Sequence, residues 1–114
     1  MTALELLTAW SLHVHRIDRE RSESAEDPRT WDANDFVAAL LLRDFLEDCV
    51  IRLPAPLRSK VAELADGVDA LFTSITQVDD RHLLDKVTDR GQAGRKWWWQ
   101  RIPDSGPILK HMLE

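Results

Sequence analysis

The side chains that could do acid–base or metal chemistry are scattered along this sequence. His13 and His15 are two positions apart, so on a helix they point to different sides and cannot bind one metal ion together. His82 and His111 are isolated from other ligand-type residues. The sequence also contains no Ser/His/Asp arrangement, no glycine-rich phosphate loop and no cysteine pair. We therefore expect no metal ion, no cofactor and no enzymatic activity.

A single cysteine, Cys49, stands directly after Glu47 and Asp48. Neighbouring carboxylates disfavour a thiolate, so we expect a small buried hydrophobe and not a reactive thiol. One cysteine excludes an intramolecular disulfide, which favours a reducing compartment. The longest apolar run, Phe36 to Leu42, is too short to cross a membrane, and the N-terminus lacks the pattern of a signal peptide. We expect a cytoplasmic protein without membrane contact.

Two carboxylate pairs have the spacing of a shared helix face, Glu20 with Glu23 and Glu63 with Asp66. They superficially resemble the paired motifs of the all-α nucleotide pyrophosphohydrolases, a resemblance that would imply a metal-dependent enzyme. The pairs are far apart in the sequence, and the first falls in a predicted loop. No lysine or asparagine constellation for phosphate accompanies them. We interpret both pairs as solvated surface.

Three of the five tryptophans are consecutive and are flanked by basic residues. Consecutive side chains cannot share one face of a helix or strand, so at least one indole is expected to remain exposed as a contact for another molecule. Trp and Arg dominate binding hot spots. The alternative is that the indoles close the open end of the fold. The candidate partner-binding residues of this segment are Arg95, Trp97, Trp98, Trp99 and Arg101.

Acidic side chains outnumber basic ones from Asp18 to Asp48, and the whole chain has a net charge of −5. This charge disfavours nucleic acid and also weakens a membrane-interface or single-stranded nucleic-acid interpretation of the basic tryptophan segment. It favours a basic protein partner, although a merely solvated surface is the alternative. The acidic candidate partner-binding residues are Asp32, Asp35, Asp44, Glu47 and Asp48.

The hydrophobic periodicity predicts an all-α fold, an antiparallel helical bundle of about four helices with a Trp-rich C-terminal segment, in a single domain. Thr2 and Glu5 have the form of a capping box for the first helix, and Asp32 is a good N-cap for the second. The predicted bounds are helix 1–18, polar loop 19–31, helix 32–53, helix 57–79, helix 80–90 and Trp-rich tail 91–114.

The third predicted helix carries an apolar stripe with alternating spacings of four and three residues. We expect this stripe to enter the intramolecular core, and the alternative is a seam between two copies of the chain. Gly67 interrupts the helix and could mark a close helix–helix approach. The stripe comprises Leu57, Val61, Leu64, Val68, Leu71, Ile75 and Val78.

These features together predict a non-catalytic protein that binds another protein. The leading hypothesis is a small acidic inhibitor of the immunity-protein or antitoxin type, which occludes a basic, nuclease-like toxin. The alternative is a structural or assembly subunit that uses Trp97 to Trp99 as a hydrophobic contact, and a homo-oligomer is left open.

Overall fold

The computed structural model describes residues 1–89 and 96–114 of the chain. This part is mostly helical, which confirms the helical class, but a small two-stranded sheet corrects the all-α prediction. In chain order the elements are α1 (Ala3–Glu20), α2 (Ala33–Val50), α3 (Ala55–Ser74), β1 (Thr76–Val78), a 3₁₀ helix (Leu83–Lys86), a 3₁₀ helix (Trp97–Gln100), β2 (Arg101–Pro103) and α4 (Pro107–Leu113).

The first two helices begin where the sequence predicts. Thr2 and Glu5 form the capping box of α1, each backbone N–H donating to the other side chain at 3.1 Å. Asp32 caps α2. The apolar side chains of α1 that face the core include Leu7, Trp10, Val14 and Ile17. Trp10 packs on Phe72 of α3, with the ring centroids 5.2 Å apart. Helix α2 ends at Val50, three residues before its predicted end, and α1 ends at Glu20, two residues after.

Helix α3 is shorter than the predicted helix 57–79. It begins at Ala55 and ends at Ser74. Pro56 lies in the first turn, where backbone N–H groups have no partner within the helix, so its missing N–H breaks no hydrogen bond. The residues after it, Thr76–Val78, form β1 and pair antiparallel with β2, with Gln77 opposite Ile102. The β-branched side chains of this stretch suit an extended strand, and the distant pairing partner outweighs the helical periodicity.

The face that α3 buries is also different from the predicted stripe. Its buried residues are Val61, Ala65, Asp69 and Phe72, which lie on a neighbouring line of the helix surface. Two leucines of the predicted stripe, Leu57 and Leu64, are at least half exposed, as is Val78 in β1. The expectation that the whole stripe enters the intramolecular core is therefore wrong.

The predicted helix 80–90 is replaced by the 3₁₀ helix Leu83–Lys86, and Arg90 lies outside the described residues. Asp79 is buried, and its carboxylate accepts the backbone N–H groups of Leu83 and Leu84 at 2.8 and 3.0 Å. His82 adopts a left-handed backbone conformation with a φ of 54°. This sharp turn and the cap from Asp79 limit the segment to one 3₁₀ element.

The C-terminal residues pack back onto the helices. Arg21 at the end of α1 donates to both carboxylate oxygens of Asp104, each at 3.1 Å. His111 of α4 accepts the backbone N–H of Ala33, the first residue of α2, at 2.9 Å. None of the described helices combines the length and the apolarity needed to cross a membrane.

Candidate functional site

The five acidic candidates of α2 occupy two separate places on that helix. Asp32 and Asp35 lie at its beginning, whereas Asp44, Glu47 and Asp48 lie in its last two turns. At a rise of 1.5 Å per residue, Asp35 and Glu47 are about 18 Å apart along the axis. The five carboxylates therefore do not form one cluster.

Asp32 and Asp35 are engaged in capping the N-terminus of α2. The Asp32 carboxylate accepts the backbone N–H groups of Asn34 at 2.9 Å and Asp35 at 3.1 Å. The Asp35 carboxylate in turn accepts the Asp32 N–H at 3.0 Å. The hydrogen bond from the Asp35 backbone is the main reason why the pKa of Asp32 lies below its ordinary value. These two acids have a structural role in the free protein.

Asp44 joins α2 to the tryptophan segment. The indole N–H groups of Trp98 and Trp99 both donate to its Oδ1, at 2.8 and 2.9 Å. Both indoles are only 2% exposed. The segment Trp97–Gln100 is thus anchored on α2 by two indoles and one carboxylate, although 54 and 55 residues separate the partners in the sequence.

Beneath Asp44 lies a buried ionic network centred on Arg43. Its guanidinium donates to both carboxylate oxygens of Asp69 in α3, at 3.0 and 2.9 Å, and lies 4.3 Å from the ring centroid of Trp98. Asp69 also accepts the indole N–H of Trp10 at 3.0 Å. Glu47 lies 3.8 Å from the same guanidinium. The network connects α1, α2, α3 and the tryptophan segment.

Trp97 is the indole of this segment that reaches solvent. Its ring is 41% exposed and touches Trp98 edge-on, with the centroids 5.5 Å apart. Trp98 donates a hydrogen bond to Asp44, so the exposed Trp97 is one side chain away from the acidic end of α2. In that part of α2, Asp44 and Glu47 are partly exposed and Asp48 is exposed. We call Asp44, Glu47, Asp48 and Trp97 the acidic–indole surface. The prediction that at least one indole remains exposed is confirmed.

Of the two arginine candidates, Arg101 is among the described residues and does not belong to this surface. Arg101 lies in β2, where its Nε donates to the Thr76 hydroxyl at 2.8 Å and its Nη2 to the Thr76 carbonyl at 2.9 Å. It therefore stabilises the junction between α3 and the sheet. Arg95 lies outside the described residues.

The acidic–indole surface combines two chemical features. The exposed indole provides apolar area with a defined shape, and the carboxylates of α2 carry negative charge. Within residues 1–89 and 96–114 no three His, Cys, Asp or Glu side chains converge as metal ligands.

Comparison of the chain with protein-family models, with curated proteins and with solved structures gives no match.

The ionic network of Arg43 and Asp69 was not predicted from the sequence. Arg43 is 6% exposed and Asp69 is 9% exposed. A signal for Asp69 was present, since it follows Val61 and Ala65 at intervals of four residues on a helix. No local pattern distinguishes Arg43 from the exposed Arg52 in the turn after α2, because the burial of Arg43 depends on contacts with α3 and Trp98.

Proposed function

We propose that this protein is a non-catalytic inhibitor of the immunity-protein or antitoxin type, which binds a basic protein through its acidic–indole surface. The observation that carries the proposal is the chain of contacts from the exposed Trp97 through Trp98 to Asp44, in the last two turns of α2. Asp44 and Trp98 are 54 residues apart in the sequence, so no local pattern predicts this contact.

The charges of the surface support a cationic partner. Arg43 pairs with Asp69 and lies 3.8 Å from Glu47, and the exposed Lys96 precedes Trp97, so these two cations stand against the four carboxylates of Asp44, Glu47, Asp48 and Asp69. The surface therefore keeps negative charge after internal pairing. Such a charge accelerates association with a basic protein and makes the association sensitive to salt.

The buried side chains give the surface rigidity. Trp98 and Trp99 are fixed by Asp44, and Trp98 is also held by the Arg43 guanidinium. A pre-organised aromatic anchor loses little conformational freedom on binding, which favours affinity. Inhibition by occlusion needs only such an anchor and a complementary rim over the partner's phosphate-binding Lys and Arg side chains.

The test is quantitative capture of basic proteins on the immobilised chain, followed by affinity measurement with each retained protein. We expect at least one retained basic protein whose affinity falls tenfold or more for Trp97→Ala and for Asp48→Lys. Matched controls are Leu113→Ala and Glu114→Lys at the end of α4, which should bind as the wild type does. Retention of no basic protein, or equal binding by all four variants, would contradict the proposal.

The assembly-subunit alternative is less favoured because two of its three indoles, Trp98 and Trp99, are buried within the protein. Only Trp97 of that segment can contribute exposed ring area. The antiparallel bundle arrangement, the cytoplasmic location and the absence of catalysis stay predictions that accompany this proposal.

A further inference from the structure

A second surface, which shares no residue with the acidic–indole surface, lies on α1 and where α1 meets α3. Four large apolar side chains remain exposed there: Met1 (77%), Leu4 (58%) and Leu12 (66%) from the α1 side and Leu64 (58%) from α3. They line two adjoining shallow depressions, whose floor is completed by Leu7 and Val68. We call these six residues the apolar groove. We propose that it is the site at which a second copy of this chain docks.

The periodicity of α3 supports a helical occupant. Leu57, Leu64 and Leu71 belong to the apolar stripe with heptad spacing, yet the core of the monomer is built on Val61, Ala65 and Phe72. Leu57 and Leu64 remain about half exposed. Val61 and Ile75 of the stripe are buried and Leu71 is partly buried, so the monomer leaves only part of the heptad stripe exposed. A heptad stripe with exposed members is typical of a helix that packs against a further helix.

Gly67 adds an independent observation on the same helix. A Cβ atom at this position would meet nothing within 4 Å, so the packing inside the monomer does not require glycine there. Glycine inside a helix costs about 1 kcal/mol relative to alanine. Gly67 lies one turn from both Leu64 and Leu71. Because it has no side chain, another helix can approach the backbone of α3 closely at this position.

The charges around the groove favour a second copy as the occupant. The acids at this face are Glu5, which lines the groove, and Glu63, which precedes Leu64; Lys60 lies one turn before Leu64. A copy related by a two-fold axis would present its own Lys60 to these carboxylates and its carboxylates to Lys60. Two acidic–indole surfaces would instead repel each other, so the groove is the better place for self-association.

The size of the groove predicts a weak dimer. Its exposed side chains, together with Leu57, offer on the order of 300 Å² of apolar surface in each copy. With a polar rim of normal proportion, two copies would bury about 1,050 Å² in total, just below the roughly 1,200 Å² at which stable interfaces begin. We therefore expect dissociation in the micromolar range.

Sedimentation velocity of the full chain from about 1 to 500 µM tests the proposal. The wild type, with a mass of 13.1 kDa, is expected to shift from monomer to dimer as the concentration rises. Leu64→Lys and Leu12→Lys place a cation in the groove from different helices, and each should weaken the dimer at least tenfold. Circular dichroism is used to check that each variant is folded. If Leu64→Lys does not fold, Leu12→Lys provides the test of the groove.

Leu113→Lys is the matched control, because Leu113 is a similarly exposed leucine on α4, outside the groove. It should dimerise as the wild type does. A wild type that is monomeric at every concentration would overturn the proposal and leave the groove to a different occupant. Folded groove variants that dimerise as strongly as the control would overturn it as well. Neither result bears on capture of a basic protein by the acidic–indole surface.

Discussion

Arg43 and Asp69 form a buried, bidentate ion pair between α2 and α3, with nitrogen–oxygen distances of 3.0 and 2.9 Å. Trp10 donates a third hydrogen bond to the same carboxylate, at 3.0 Å. Removing two charges from water is costly, and such a pair is tolerated only when both partners are fully hydrogen-bonded. No buried polar side-chain atom lacks a partner among the described residues, so the network meets this condition.

Replacing Arg43 by Met is expected to destabilise the protein by about 3 kcal/mol, because it leaves the buried Asp69 carboxylate without its cation. The measurement is urea unfolding at pH 7, followed by circular dichroism at low micromolar concentration. Arg52→Met is the control, since Arg52 is exposed and its loss should change the free energy of unfolding by less than about 0.5 kcal/mol. Equal stabilities of the two variants would contradict the assigned role of Arg43.

Replacing Asp44 by Ala removes the shared acceptor of two buried indole N–H groups. Each unsatisfied buried donor costs roughly 1–3 kcal/mol, so we expect a total loss of about 3 kcal/mol. Asp44→Asn keeps an acceptor oxygen and should lose less than half as much. Hydrogen exchange of the indole N–H groups, followed by NMR, should show faster exchange for Trp98 and Trp99 in the Ala variant. Unchanged exchange would show that Asp44 does not hold them.

Gly106 and Gly67 are expected to respond to alanine in opposite directions. Gly106 has a φ of 95°, and a Cβ there would lie 2.8 Å from the Cα of Arg21, so Gly106→Ala should destabilise by about 1–3 kcal/mol. Gly67 lies within α3 with open space around it, so Gly67→Ala should stabilise the monomer by up to about 1 kcal/mol. Thermal unfolding at low concentration measures both. A stabilising Gly106→Ala substitution would refute the close approach of Arg21.

The N-cap of α2 makes stability depend on pH. The pKa of Asp32 is lowered from its ordinary value of 3.8, chiefly by the hydrogen bond from the Asp35 backbone. Its charged form therefore stabilises the fold above pH 3.8, and this contribution is lost as the pH falls through the lower folded-state pKa. Asp32→Ala should cost about 1 kcal/mol at pH 7. The difference from the wild type should shrink below pH 3.8, and a difference that is constant with pH would contradict the assignment.

The sequence predicted those parts of the fold that depend on local chemistry. The capping box of Thr2 and Glu5 and the N-cap Asp32 involve residues within three positions of each other, so their side chains alone determine them.

The errors concern features that depend on distant partners. Thr76–Val78 continues a helical pattern, but pairing with Arg101–Pro103 makes it a strand. Within α3, Leu64 is exposed and Phe72 is buried, because the positions of α1 and α2, and not the periodicity of α3, decide which line of the helix surface faces the core. The acidic–indole surface was predicted only in part. Its acidic residues and Trp97 were candidates, but the contact of the tryptophan segment with Asp44 was not predicted.

The most direct test of the proposed function is the footprint of a captured basic partner on the isotopically labelled chain, measured by NMR. We expect the amide signals of residues 44–48 and the indole signal of Trp97 to shift on addition of the partner, while the signals of Leu12 and Leu64 in the apolar groove stay unchanged. We also expect association to slow as the salt concentration rises. A footprint that avoids Trp97 and the acidic end of α2 would show that the acidic–indole surface does not bind the partner.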